Sequence, residues 1–130
     1  MILVDTHVVV WLTIEPKKLP KSTAKLVAES RANNSGIAIA DTTLWELAML
    51  VTLGRIKPAV PLGTYLRRVE QMFEVFPITG TVAERAMQFS GGYPKDPADR
   101  LIGATASVQG VPLVTRDKGI IASREVKCIW

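Results

Sequence analysis

The feature that most constrains this chain is a short apolar run that recurs between longer stretches of helical periodicity. Met1-Ile2-Leu3-Val4 stops at Asp5, Ile37-Ala38-Ile39-Ala40 stops at Asp41, and Val111 to Thr115 stops at Arg116-Asp117. Phe73 to Ile78 and Glu125 to Trp130 read as further strands. Apolar runs without polar alternation fit strands covered on both faces, as in a parallel sheet. Strands alternating with helices of about ten residues or more give such a sheet with helices on both sides. The pattern therefore predicts a three-layer α/β/α architecture with a central, mostly parallel sheet. With 130 residues and 48% hydrophobic content, one core is within reach, so a single domain over 1–130 is expected.

The helices follow from spacing and punctuation. Thr6 to Leu12 opens the first, with Thr6 as a possible cap, and Ser22 can cap a second that reaches about Arg31 with Leu26, Val27 and Ala28 inward. Asn33-Asn34-Ser35-Gly36 ends it by turn chemistry. From Thr43 to Leu53 the apolar residues Leu44, Leu47, Ala48 and Val51 share one face, and Gly54 closes the helix. Met49, Leu50 and Leu53 are apolar too, so this helix has almost no polar face and needs cover from its own fold or a partner chain. Leu62, Leu66 and Val69 mark the next helix, Thr81 to Phe89 another with Val82, Ala86 and Phe89 inward, and Pro97 to Gln109 the last, ended by Gly110.

The net charge of +4 favours a polyanionic partner over a cationic one. One cysteine, Cys128, leaves no disulfide framework or cysteine zinc site within one chain, and it reads as a buried strand thiol. Asp5 and His7 interrupt the N-terminal apolar residues too early for a secretory signal or a membrane span, which makes a cytoplasmic protein the expectation.

The chemistry lies in the carboxylates. Glu46 is the only charge between Asp41 and Arg55 on a helix suited to burial, and a buried carboxylate needs a cation. Its spacing from Thr43 also matches a capping box. Asp96-Pro97-Ala98-Asp99 places a cap at Asp96, proline at the first helical position and Asp99 in the first turn, so Asp96 reads as the cap and Asp99 as the better ligand candidate. Asp5 and Asp117 each follow a strand, the edge where open α/β sheets bind ligands. Taken singly, Asp5 is a turn residue and Asp117 a surface ion pair. Together Asp5, Glu46, Asp99 and Asp117 form an oxygen-only set that suits Mg²⁺ or Mn²⁺ rather than zinc. His7, the sole histidine, reads as a helix-start residue with a polar contact.

Four stretches in order, Leu3-Val4-Asp5-Thr6-His7, Leu44-Trp45-Glu46-Leu47-Ala48 with Gly54-Arg55-Ile56, Asp96 to Ile102, and Val114-Thr115-Arg116-Asp117, give the sequence its family likeness. It resembles the PIN-domain superfamily, and within it the VapC-type toxins of toxin–antitoxin pairs. That resemblance implies a Mg²⁺- or Mn²⁺-dependent endoribonuclease with Asp5, Glu46, Asp99 and Asp117 at the acidic positions. It further implies Thr6 and Thr115 as supporting hydroxyls, Asp96 and Arg100 as supporting or substrate contacts, a cognate antitoxin partner and a homodimer. Gly103 stands where such sequences commonly carry alanine. Asp41 stands where they carry a small residue, and it reads as a helix cap. Arg55, Lys95, Arg100, Arg116 and Lys118 are the candidate RNA contacts. Two other readings remain, a PIN-fold nuclease acting on DNA or in RNA processing without an antitoxin, and a non-catalytic Mg²⁺-binding regulatory α/β module.

Overall fold

The computed structural model describes all residues, 1–130. Five parallel strands form one sheet in the order β3-β2-β1-β4-β5. These are β1 (Ile2–Val4), β2 (Ile37–Ala40), β3 (Glu74–Phe76), β4 (Leu113–Val114) and β5 (Cys128–Ile129). The chain runs from β1 outward to β2 and β3, then returns to the other side of β1 for β4 and β5. The gap between β1 and β4 is thus the switch point of the sheet, where side chains from the following loops converge.

Two apolar layers explain why these residues form strands. Ile2, Val4, Ile37, Ile39 and Val114 pack on one side against α1 (Thr6–Thr13), α2 (Lys21–Ala32), α3 (Asp41–Thr52) and α4 (Leu62–Met72). Leu3, Ala40 and Leu113 pack on the other against α5 (Gly80–Gln88), α6 (Pro97–Gln109) and α7 (Lys118–Ser123). Alternate residues of β1 serve opposite layers, as the period of a strand requires. The outcome is the three-layer α/β/α arrangement expected from the sequence.

Several local expectations are corrected. Asp5, not Thr6, caps α1, accepting from the Thr6 N–H at 2.7 Å. The second helix starts at Lys21 behind Pro20 with no side-chain cap, so Ser22 does not cap it; it buries Thr23, Val27 and Ser30, while Ala28 is exposed. α3 begins at Asp41, two positions before Thr43, so the Thr43–Glu46 capping box does not form. Thr43 is needed elsewhere: it is buried, with its hydroxyl 3.0 Å from that of Thr6. Asp41 does not cap α3 either; its Oδ2 accepts from the Ile78 N–H at 3.0 Å, tying α3 to the loop after β3. On α4 the buried residues are Tyr65 and Val69, with Leu62 and Leu66 only half-buried. The strands are shorter than the apolar runs, because only paired residues count, and Cys128 is half-buried.

Gly103 has a steric reason. It is buried on α6, and a Cβ there would fall on the Tyr93 hydroxyl, with the ring carbon bearing it 2.8 Å away. Tyr93 has no room to yield: it is buried, stacked 4.2 Å from Phe89, and its hydroxyl donates to the Asp99 carbonyl at 2.7 Å. Gly103→Ala gains about 1 kcal/mol of helix propensity, but overpacking a filled site costs roughly 1–3 kcal/mol or more. Urea unfolding should therefore show a net loss of stability, and adding Tyr93→Phe should make the combined effect smaller than the sum of the two.

Candidate active site

The carboxyl edge of the sheet holds the site. Asp5 follows β1 directly and is buried there, with both oxygens engaged: Oδ1 by the Thr6 N–H and Oδ2 by the Thr115 hydroxyl at 2.7 Å. Thr115, one residue past β4, in turn accepts from the Asp117 N–H at 3.0 Å. Asp117 caps α7 through Oδ1, which accepts from the Ile120 N–H at 2.9 Å. This short helix was not read from the sequence, and it replaces the surface ion pair as the local role of Asp117.

From the other side, α3 delivers Glu46. Its Oε1 accepts from the Thr6 hydroxyl at 2.6 Å. That hydroxyl has one proton to give, so in the Thr43 contact it accepts and Thr43 donates. Asp96 caps α6, its Oδ2 accepting from the Asp99 N–H at 3.0 Å, and Pro97 occupies the first helical position. Asp99 then sits in the first turn of α6, and its carboxylate receives no hydrogen bond from the protein.

Asp5, Glu46, Asp96, Asp99 and Asp117 line one cavity of about 400 Å³ together with His7, Val8 and Arg116. Arg100 is not brought there: it donates to the Ala86 carbonyl at 3.2 Å and lies toward the Tyr93 ring. Thr6 and Thr115 act on the cavity through the acids they hold. Sequence reasoning missed Thr43 and Tyr93 as parts of this support. The signal for Tyr93 was an aromatic residue in a Gly-Gly-Tyr-Pro loop facing a glycine inside a helix.

The electrostatics are unbalanced. The ion pairs of the structure, Lys18–Glu15, Lys25–Glu29 and Arg85–Glu125, include none of the five acids. Burial, aided by repulsion from Asp5, Asp96, Asp117 and Glu46, pushes the Asp99 carboxyl up to about 7. Burial also raises Asp5, against the opposing bonds from Thr115 and Thr6, and raises Glu46, against the bond from Thr6. The donor set is all oxygen and suits a hard divalent cation. No three of these side chains form a closed ligand cage, and the oxygens of Asp5 and one each of Glu46 and Asp117 are held by hydrogen bonds.

The PIN domain profile matches residues 2–125. The chain belongs to the PIN domain family. Over 131 aligned residues it is 33% identical to Ribonuclease VapC22 of Mycobacterium tuberculosis, covering 99% of this chain and 98% of that relative. Its fold is similar to VapBC2 from Rickettsia felis bound to a promoter DNA fragment, at TM-score 0.76 and 20% identity, covering 100% of this chain and 99% of that one. It is also similar to a toxin-antitoxin complex from Klebsiella pneumoniae, at TM-score 0.60 and 19% identity, covering 97% of this chain and 100% of that one. In this chain the acids stand at the end of the first strand, on the third helix, at the start of the sixth and in the turn after the fourth strand.

The raised Asp99 pKa sets a pH dependence for the metal-free protein. Its folded value, about 7, lies above the ordinary 3.8, so ionising it in the folded state lowers stability. That penalty is fully present above about pH 7 and is released progressively as pH falls from 7 toward 3.8. In EDTA, the melting temperature should rise from pH 8 to pH 6. Asp99→Asn should raise the value at pH 8 by roughly 2–5 °C and flatten this dependence, as scanning calorimetry will show.

Proposed function

We propose that this PIN domain is a Mg²⁺- or Mn²⁺-dependent endoribonuclease, the toxin of a toxin–antitoxin pair, acting in the cytoplasm. The observation that carries the reading is the set of five acids, none of them in an ion pair, gathered in one cavity at the switch point of the sheet. The ribonuclease name of the 33% identical relative supports RNA as substrate, as does the net charge of +4. The toxin-antitoxin complex among the structural neighbours supports an antitoxin partner. No helix is long and apolar enough to cross a membrane.

Asp5, Glu46, Asp99 and Asp117 would hold the ion, which when bound supplies an activated water and stabilises charge on the departing oxygen of a phosphodiester. The chain's own residues do the rest. Thr115 and the Thr6 amide hold Asp5, the Thr6 hydroxyl holds one Glu46 oxygen, and Asp99 has both oxygens free. Asp96 fixes where α6 begins and so where Asp99 stands. The regulatory-module reading gains no support, because Lys118 is exposed at the start of α7 and does not line the cavity. Asp99→Asn should reduce cleavage of single-stranded RNA in Mg²⁺ or Mn²⁺ by at least about 100-fold while the protein stays folded. Parallel assays on single-stranded DNA separate the RNA reading from a DNA nuclease, and full RNA cleavage by the variant would sink the assignment.

The homodimer belongs to the same proposal. Trp45 and Met49 on α3 and Leu53 at its C-terminal cap stand at i, i+4 and i+8 and are 64%, 36% and 59% exposed, a stripe that the fold leaves uncovered. A second copy on this face would cover it. Sedimentation should show a dimer for the parent chain and a monomer for Trp45→Arg, with unchanged far-ultraviolet dichroism.

A further inference from the structure

His7 and Arg116 line the acidic cavity and also a second, larger cleft of about 490 Å³ that continues from it. Trp11, Leu50, Arg55 and Lys18 wall this cleft. Trp11 is buried, and the Arg116 guanidinium lies 4.7 Å over its ring. The His7 ring stands 6.3 Å from Trp11 on one side, and Trp130 stands 5.7 Å from it. Trp11 is thereby a fixed backing that holds the otherwise flexible Arg116.

The charges of the two spaces are opposite. Lys18 is paired with Glu15 at 2.9 Å, but Arg55 and Arg116 take part in no ion pair. The acidic cavity needs cations; the adjoining cleft offers two unpaired guanidinium groups and an exposed imidazole. A polyanion whose reacting phosphate is shared with a divalent ion is satisfied in both.

We infer that the cleft holds the nucleotide next to the scissile phosphate of a single-stranded RNA. Its base stacks on the Arg116 plane backed by Trp11, and Arg55 contacts a flanking phosphate. This inference rests on the ribonuclease reading. Bases of single-stranded RNA are free to leave their neighbours and stack on aromatic or guanidinium planes. A duplex keeps its bases inside. The cleft volume falls in the range of sites for small, unpaired ligand groups. An acidic peptide would match the guanidinium groups but bring further carboxylates toward the five already present.

The test is binding of a fluorescein-labelled eight-nucleotide single-stranded RNA of mixed sequence, read by anisotropy, in the Asp99→Asn chain so that the RNA stays intact. Arg116→Ala should weaken binding about tenfold. Arg116→Lys, which keeps charge but loses the plane, should recover only part of that. Arg55→Ala should lower the slope of log affinity against log salt by about 0.7, one phosphate contact on a single strand. Arg67→Ala, on the exposed face of α4, should leave binding unchanged. If the wild-type chain cleaves RNA while Arg116→Ala and Arg55→Ala bind like the parent, the cleft assignment is overturned and the nuclease reading stands. Full recovery by Arg116→Lys overturns the stacking. If the substitutions spare RNA but release a co-expressed antitoxin, the cleft is a peptide site and the inference fails. If RNA is neither bound nor cleaved, both readings fall.

Discussion

The buried carboxylate of Asp5 is the constraint around which the rest of this structure is arranged. It ends the central strand, where its charge has no cation, and such a group is unfavourable unless its oxygens are hydrogen-bonded. The Thr6 amide and the Thr115 hydroxyl supply those bonds. Each donor is fixed by a different element. Thr6 is the first residue of α1, and Thr115 stands just beyond β4, the parallel neighbour of β1. The register Val4 with Val114 is what brings Asp5 and Thr115 together. A slip of one residue would turn alternate side chains to the wrong layer and separate the pair.

From Asp5 the support spreads in two directions. On the α3 side, Thr43 donates to Thr6 and Thr6 donates to Glu46, a relay in which each hydroxyl has one proton and one role. On the α6 side, the Tyr93 hydroxyl reaches the Asp99 carbonyl through space that only glycine at 103 leaves open. The helix gives up propensity at Gly103, and the tyrosine gains a buried hydrogen bond and a stacked neighbour in Phe89. The first turn of α6, which carries Asp99, is thereby anchored from beneath.

What the sequence made legible follows from how local the information is. α6 was read to its ends because Asp96, Pro97 and Gly110 are adjacent punctuation, and Gly110 takes the left-handed φ of +66° that a helix stop requires. α7 was missed because its six residues are too few to show a helical period. The strands were read too long: Val126, Cys128, Ile129 and Trp130 suggested a strand over Glu125 to Trp130, but pairing is confined to Cys128 and Ile129, and pairing is a property of the neighbour. The Thr43–Glu46 spacing suited a cap, yet a distant residue, Thr6, had the stronger claim on both side chains. The common location of the acids was legible as an expectation from strand ends and first turns. Which oxygens are free, and that Arg100 faces α5, depended on tertiary packing alone.

Capping and ligand roles, which the sequence sets up as rivals, turn out to be compatible. Asp5, Asp96 and Asp117 each cap a helix. A cap uses a single carboxylate oxygen, so Asp117 keeps its second one free, while Asp5 gives its second to Thr115. Placing the acids at helix starts also sets them against the positive ends of α1 and α6, where an anion is favoured by about 0.3–1 kcal/mol. That interaction offsets part of the repulsion among five neighbouring carboxylates. Burial and the remaining repulsion raise the pKa of Asp99, which stands in the first turn of α6 and whose carboxylate accepts no hydrogen bond from the protein. A site assembled from helix caps can therefore hold excess negative charge in a stable fold and still leave an acid free of hydrogen bonds available to a cation.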